Sequence, residues 1–230
     1  MLVVVVIAGA VSGLGPSVGG GVGPVAGQPT LTFQQYAHMI NNSPAVFTND
    51  SDNTDEEVMS YPDVAINVFA GDYDDGSDAC VASSGIRSAL PGLVTVTWEY
   101  GFPLMDNPWR LTVLLTDSPE AARALGAALS SYNVCDMTRS AESAGLKPFD
   151  DSGNSNGVNL WSQGFDSPEC WSTIPGNPDG PYWMAGCDYT IAYAQYGNVL
   201  VMVAGGTDTI WDTWRGAGPA IKAPIDQAAG

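Results

Sequence analysis

The amino-acid sequence predicts an α+β domain in which a mostly antiparallel β-sheet is flanked by helices and held by two disulfides. Three observations favour this fold. Runs of alternating apolar and polar residues are typical of half-buried strands. Segments with helical periodicity begin at capping residues. The chain also contains four cysteines, an even number without a CxxC pair. The order helix, strands, helix, strands, hairpin, helix indicates an α+β arrangement.

The first elements follow from local patterns between residues 32 and 115. Thr32 and Gln35 have the spacing of a capping box, which predicts a helix that contains the only histidine, His38. Residues 64–69 are apolar and rich in Val and predict a strand. Asp78 is placed to cap a short helix. The alternation at 94–100 predicts a half-buried strand, and the next strand is expected at 110–115.

The second half begins with a strong helix signal at Ser118, Pro119 and Glu120, where a cap precedes Pro at the first helical position. We expect this helix to run towards Ser130 and the residues at 150–157 to form a polar loop. Strand runs are expected at the positions that follow: 158–161, 189–196 and 199–203. Gly197 and Asn198 lie between the last two runs and predict a type II′ hairpin turn. Further helices are expected around 208–214 and after Pro219.

The N-terminal segment has the character of a targeting signal. Residues 1–10 form an apolar run that is too short to cross a bilayer as a helix, and the run resembles the hydrophobic region of a secretory signal without its basic residues. A buried strand is the alternative. Residues 13–27 carry no charge and read as a flexible tether. We therefore assign 1–28 to a signal-like segment and tether and 29–230 to one domain, and we expect a secreted protein or one on the outer face of the plasma membrane.

The charge balance excludes several function classes. Seven Lys and Arg stand against 25 Asp and Glu, which gives a formal charge of −18. A nucleic-acid binder needs cations that neutralise phosphates, and direct binding to anionic lipids needs them as well, so we expect neither. Only 14% of residues are charged, whereas the chain has 27 Gly and 16 Pro, a composition that excludes coiled coils and helical solenoids.

The four cysteines fit an exported protein. Cys80, Cys135, Cys170 and Cys187 lack the close pairs that a zinc site needs, and four cysteines allow three pairings. We favour Cys80–Cys135 with Cys170–Cys187, which keeps the two closed loops sequential, although the sequence does not decide among the three. Four reduced, buried thiols in a cytosolic protein are the alternative.

Several features recur in the order of one known family. They are Cys80, the strand pair before Ser118, the helix at 119–125, Cys135, Trp161, Cys187 and the Gly-Asn-Val-Leu-Val at 197–201. In this pattern the chain resembles the extracellular sensor domain of mycobacterial serine/threonine kinases of the PknH type, which is also found alone in actinobacterial exported lipoproteins. The resemblance covers about residues 30–225 and implies an antiparallel sheet with flanking helices, two disulfides and a ligand-binding cleft. Because the 230 residues show no kinase domain, no joined transmembrane helix and no lipobox, we do not expect signalling through a membrane to carry over from this family.

Candidate catalytic and metal-binding groups are few. His38 is the only histidine and no GxSxG motif is present, so a histidine-based triad is not expected. Four acids could offer oxygen ligands to a Ca²⁺ ion in one short loop: Asp72, Asp74, Asp75 and Asp78. Their spacing does not fit an EF-hand, and a solvated acidic loop is the alternative. The glycine-rich stretches lack the lysine of a phosphate-binding loop, so we expect no nucleotide and no cofactor.

The aromatic residues offer the remaining candidates for ligand binding. They make up 10% of the chain, and Trp98, Tyr100, Trp109 and Trp161 are the candidates for a groove that binds a glycan, a lipid or an envelope protein. A role in the core is the alternative for each of them.

These observations lead to a functional hypothesis with two alternatives. We expect an exported, non-catalytic domain that binds a ligand or partner in the cell envelope. An accessory subunit on the outer face of a membrane complex is one alternative, which a large exposed apolar patch would favour. A secreted carboxylate-dependent hydrolase is the other, which two close, buried carboxylates would favour.

Overall fold

The computed structural model describes residues 27–42, 62–99, 108–144, 147–166, 171–172, 182–183, 189–205, 214 and 216–230. Its helices are α1 (Phe33–Asn42), α2 (Pro62–Gly71), α3 (Ala79–Ser84), α4 (Ile86–Ala89), α5 (Pro119–Ala144) and α6 (Gly218–Ala229). A short 3₁₀ turn, Leu90–Gly92, follows α4. None of the helices in these ranges is long and apolar enough to span a membrane.

The strands form a six-stranded sheet and a separate two-stranded ribbon. They are β1 (Leu93–Glu99), β2 (Pro108–Thr116), β3 (Lys147–Ser155), β4 (Val158–Asp166), β5 (Trp171–Ser172), β6 (Tyr182–Trp183), β7 (Tyr189–Tyr196) and β8 (Val199–Gly205). The large sheet has the order β1-β2-β8-β7-β4-β3, and β5 pairs with β6. All neighbouring strands in both sheets are antiparallel. The predicted α+β class with an antiparallel sheet is therefore confirmed.

The sheet is the middle layer of three. Because side chains alternate across a strand, successive residues of β8 enter opposite cores. Val199, Val201 and Val203 join the core beneath α1 and α6, whereas Leu200 joins the core beneath α2 to α5. Both faces of the sheet are therefore covered by helices.

Three local predictions are wrong, and each has a physical reason. The run at 64–69 lies in α2 because Pro62 and Asp63 supply helix-start signals and Ala65 and Phe69 bury one helical face. The Val-rich composition of this run gave a misleading indication of a strand.

Helix α5 extends to Ala144, well beyond its predicted end near Ser130. Tertiary contacts hold its second half, where the residues themselves are weak helix formers. Ser130 accepts a hydrogen bond from the side-chain amide of Gln163, and the Asn133 amide donates to the Tyr193 hydroxyl. Cys135 therefore lies within this helix and not just after it.

The predicted polar loop at 150–157 is the end of strand β3 and a turn. All nine residues of β3 pair in register with β4. Asn156 and Gly157 have φ values of 54° and 87°, as a type I′ hairpin turn requires. Since β3 is an edge strand, its Pro, Asp and Gly residues are suited to resist pairing with another chain.

The turn between β7 and β8 connects one end of the sheet to the segment that precedes α1. Gly197 has a φ of 60°, as the first position of the predicted II′ turn requires, and a Cβ there would lie 2.0 Å from the Pro29 carbonyl oxygen. The buried Asn198 side chain bonds to the backbone of Leu31 and Thr116 at 2.7–2.9 Å. These contacts attach residues 28–31, which precede α1, to the sheet.

Candidate functional site

The four aromatic candidates are not brought together where the structure describes them. Trp98 pairs with Thr112 in β1, and Trp161 pairs with Tyr193 in β4. The strands β2, β8 and β7 lie between them, which separates the two backbones by roughly 19 Å at the usual strand spacing. Trp109 lies in β2, where the register with β8 shifts, and Tyr100 lies outside the described residues.

The side chain of Trp161 serves in packing. Its ring stacks on that of Tyr193, with centroids 5.1 Å apart and planes 6° from parallel. On α5, Gly126 leaves room for this ring, because a Cβ there would lie 2.9 Å from Trp161 Cζ2. Trp161 is thus half-buried between the sheet and α5.

The acidic residues proposed as metal ligands lie in the loop between α2 and α3, and two of them bind backbone amides. Asp75 Oδ1 accepts hydrogen bonds from the Ser77 hydroxyl at 2.6 Å and the Ser77 amide at 2.9 Å. Asp78 Oδ1 accepts one from the Cys80 amide at 2.7 Å and caps α3 as predicted. These bonds lower the pKa of both carboxyls, in each case chiefly through the hydrogen bonds from Ser77 and Cys80, respectively.

Arg87 supplies a cation to the same loop. Its Nη2 donates to the Asp74 carbonyl oxygen at 2.6 Å, its Nε donates to the Tyr73 carbonyl oxygen at 3.4 Å, and the Asp74 carboxylate lies 3.8 Å away. Within the described ranges, no three His, Cys, Asp or Glu side chains are grouped so that they could hold a metal ion. Asp72 and Asp74 are exposed at the surface of the loop.

Three contacts fasten this loop to α5. The Cys80–Cys135 disulfide joins α3 to α5 with a Cα–Cα distance of 5.5 Å, and so confirms one favoured pairing. The guanidinium of Arg139 lies 3.4 Å from Asp78 and 2.6 Å from Asp136. Cys170 and Cys187 lie outside the described residues, so their pairing stays a prediction.

An edge-to-face aromatic contact makes the third connection. The rings of Tyr73 and Tyr132 are 5.0 Å apart at an angle of 89°, and Phe69 packs on Tyr73 in the same manner at 5.4 Å. Burial raises the pKa of the Tyr132 hydroxyl, and the charges of Asp136 and Asp78 raise it further. The contact between Tyr73 and Tyr132 therefore connects the loop to the middle of α5.

The exposed apolar residues are concentrated on the layer of helices that contains this loop, α2 to α5. Among the described side chains, the large hydrophobic residues that are exposed are Val64 and Val68 on α2 and Val134 on α5, at 54%, 58% and 37%. We call these valines, together with the loop at 72–78, the α2–α5 surface. Exposed positions of α1 and α6, on the opposite layer, carry small or polar residues such as Gln34, His38, Ala223 and Gln227.

The charged side chains, like the exposed valines, are distributed unevenly between the two layers of helices. The described side chains of the α2-to-α5 layer, from 62 to 92 and 117 to 139, include eight carboxylates and three guanidinium groups. In α1 and α6 the charged residues are Lys222 and Asp226, which pair with each other. The acidic excess of the helices therefore lies on the layer that exposes the valines.

A shallow groove of about 270 Å³ lies nearby, between α5 and the pair α3 and α4. Small side chains line it, among them Ser84, Ser88, Ala124, Ala127 and Ser131.

His38, the only histidine, is exposed on α1 and lies 3.1 Å from the side-chain amide of Asn42, as expected for a helix-surface residue.

Comparisons with known proteins give one distant likeness. No protein-family model matches the chain, and no curated protein does. A solved structure, the extracellular domain of PknH from Mycobacterium tuberculosis, is similar at 16% sequence identity and a TM-score of 0.31, covering 67% of this chain and 70% of that one. At this identity and TM-score, the likeness does not carry the function of that domain over to this chain.

Proposed function

We propose that this chain is an exported, disulfide-bonded domain that binds a partner in the cell envelope and catalyses no reaction. The Cys80–Cys135 disulfide supports export, because disulfides form and persist in oxidising compartments and are rare in the cytosol. The bond closes a 55-residue separation in sequence and connects two helices of the α2-to-α5 layer.

The observation that carries the binding role is the exposure of valines on one helical layer. A single exposed apolar side chain is common on any protein surface. Val64 and Val68, however, are one turn apart on the same face of α2 and are both more than half exposed. Val134, on α5, is a third exposed valine of the same helical layer, and these side chains offer a partner apolar area to bury.

This observation also favours the accessory-subunit alternative, in which the partner belongs to a membrane complex. The hydrolase alternative gains no support from the acids whose burial the structure describes, since none of these is among the buried polar side chains. A hydrolase that cleaves glycosides needs two carboxylates that flank the scissile bond at a separation fixed by its mechanism.

Co-purification from native envelopes tests the proposal. The full chain is produced in its own cells as wild type, as the double variant Val64→Ser/Val68→Ser, and as Ala223→Ser, a control at an exposed position of α6. We expect wild type and control to retain the same partner, and the double variant to retain about tenfold less, because two half-exposed valines contribute about 1–2 kcal/mol when buried.

Two results would contradict the proposal. One is equal recovery of the partner by all three proteins, which would place the contact elsewhere. The other is the recovery of no partner with any of them. Circular dichroism of the double variant checks that its fold is intact, as expected for substitutions at exposed positions.

A further inference from the structure

We infer that the α2–α5 surface binds a cationic amphipathic segment, in which apolar side chains are flanked by Lys or Arg. This inference rests on the proposed function and specifies the chemistry of the partner. It follows from the coincidence of exposed valines and unbalanced carboxylates on the same helical layer.

The apolar part of the surface has helical spacing. Val64 and Val68 stand four residues apart, so their side chains lie about 6 Å apart along the axis of α2. A partner helix with apolar residues at i and i+3 or i+4 presents a matching ridge. Burial of the two valines against such a ridge supplies affinity that does not depend on salt.

Acidic side chains are present on α2 itself and in the loop that follows it. Asp63 lies in the first turn of α2, Asp72 comes four residues after Val68, about one helical turn further, and Asp75 lies in the loop at 72–78. The layer as a whole carries a net charge of −5 among its described helical and loop side chains. A basic segment is attracted to this field, and an acidic or anionic one is repelled.

The arginines near this surface are already bound by its own loop and carboxylates, and with them counted the layer keeps its net charge of −5. Arg87 already binds two carbonyl oxygens of the loop and the Asp74 carboxylate. Arg139 lies against Asp78 and Asp136. A second copy of the chain is disfavoured as the occupant, because each copy carries −18.

Peptide binding tests the inference with defined probes. A fluorescent 18-residue amphipathic peptide of Leu and Lys is titrated with the full chain, and a peptide of the same pattern made of Leu and Glu serves as its control. We expect the Leu–Lys peptide to bind and the Leu–Glu peptide not to bind. Raising salt from about 0.05 to 0.5 M should weaken binding several-fold, because the screening length falls below 10 Å.

Variants distinguish peptide binding at the α2–α5 surface from non-specific electrostatic binding to an acidic protein. Val64→Ser/Val68→Ser should raise the Kd about tenfold, Asp63→Asn/Asp72→Asn should raise it several-fold, and Ala223→Ser should leave it unchanged. The inference is overturned if the valine variant binds as tightly as wild type, if the Leu–Glu peptide binds equally well, or if the Leu–Lys peptide does not bind at all.

The co-purification and the peptide titration can give negative results independently of each other. If the valine variant loses its envelope partner but the Leu–Lys peptide shows no surface-specific binding, the cationic class is wrong and the proposed function stands. If no envelope partner is found, the proposed function fails whatever the peptide does.

Discussion

Gly126 is the residue whose replacement probes the packing of α5 on the sheet most directly. A Cβ at this position would lie 2.9–3.0 Å from the Trp161 ring and 3.3 Å from Leu200. We expect Gly126→Ala to lower the free energy of unfolding by about 1–2 kcal/mol, because overpacking outweighs the gain in helix propensity. Urea denaturation measures the change.

Gly71 provides the matched control for this substitution. It is also helical, and a Cβ there would meet no atom within 4 Å. Gly71→Ala should be neutral or slightly stabilising. Equal destabilisation by both variants would show that Trp161 is not packed against α5 as described.

Asp78 gives a prediction for the dependence of stability on pH. Hydrogen bonds to the Cys80 and Val81 amides hold its folded pKa below the ordinary value of 3.8. The stabilisation is therefore present above pH 4 and is lost as the pH falls through the lower, folded pKa. Asp78→Asn should lower the melting temperature at pH 7 by about 1–3 °C, and its difference from wild type should shrink towards pH 2. A difference that is constant from pH 7 to pH 2 would contradict this role.

At the residue scale, capping could be predicted from the sequence because it depends on near neighbours. Thr32 with Gln35, Asp78 and Ser118 all make the expected contacts with backbone amides. A role in the core was one of the two predictions for Trp161, but its packing partners could not be predicted, since Gly126 is 35 residues away in sequence and adjacent only in the fold.

At the element scale, the disulfide between α3 and α5 is the main covalent constraint among the described residues. The chain-entropy model gives about 4 kcal/mol for a closed loop of this length. We expect Cys80→Ala/Cys135→Ala to lower the free energy of unfolding by roughly this amount. A reductant should destabilise wild type more than the variant, and a change below about 1 kcal/mol would contradict the predicted stabilisation.

The elements themselves could be predicted where periodicity is strong. The hairpin of β7 and β8 has its turn at Gly197 and Asn198, as its sequence predicts. The errors arose where tertiary contacts override local preference. Apolar Val64 and Val68 face outwards on a helix, α5 continues because the sheet and a disulfide hold it, and the polar β3 is a strand because β4 pairs with it.

At the scale of the whole molecule, the charge of −18 was evident from composition, whereas its unequal distribution over the two helical layers was not. Composition does not tell which acids share a layer with the exposed valines. That arrangement depends on the sheet topology, which places α2 and α5 on one face and α1 and α6 on the other.

The second disulfide stays a prediction for the whole chain. Peptide mapping under non-reducing conditions should yield one linked pair that contains Cys80 and Cys135, and a second that contains Cys170 and Cys187. Free, alkylatable thiols at Cys170 and Cys187 in the native protein would contradict the second pairing.

Site-specific photo-crosslinking tests the central claim, that the α2–α5 surface contacts an envelope partner, most directly. A benzoylphenylalanine is placed at Val68 in one sample and at Ala223, on the opposite layer, in another, and intact cells are irradiated. We predict a discrete crosslinked product from position 68 and none from position 223. Crosslinking from position 223 alone, or from neither position, would contradict the account.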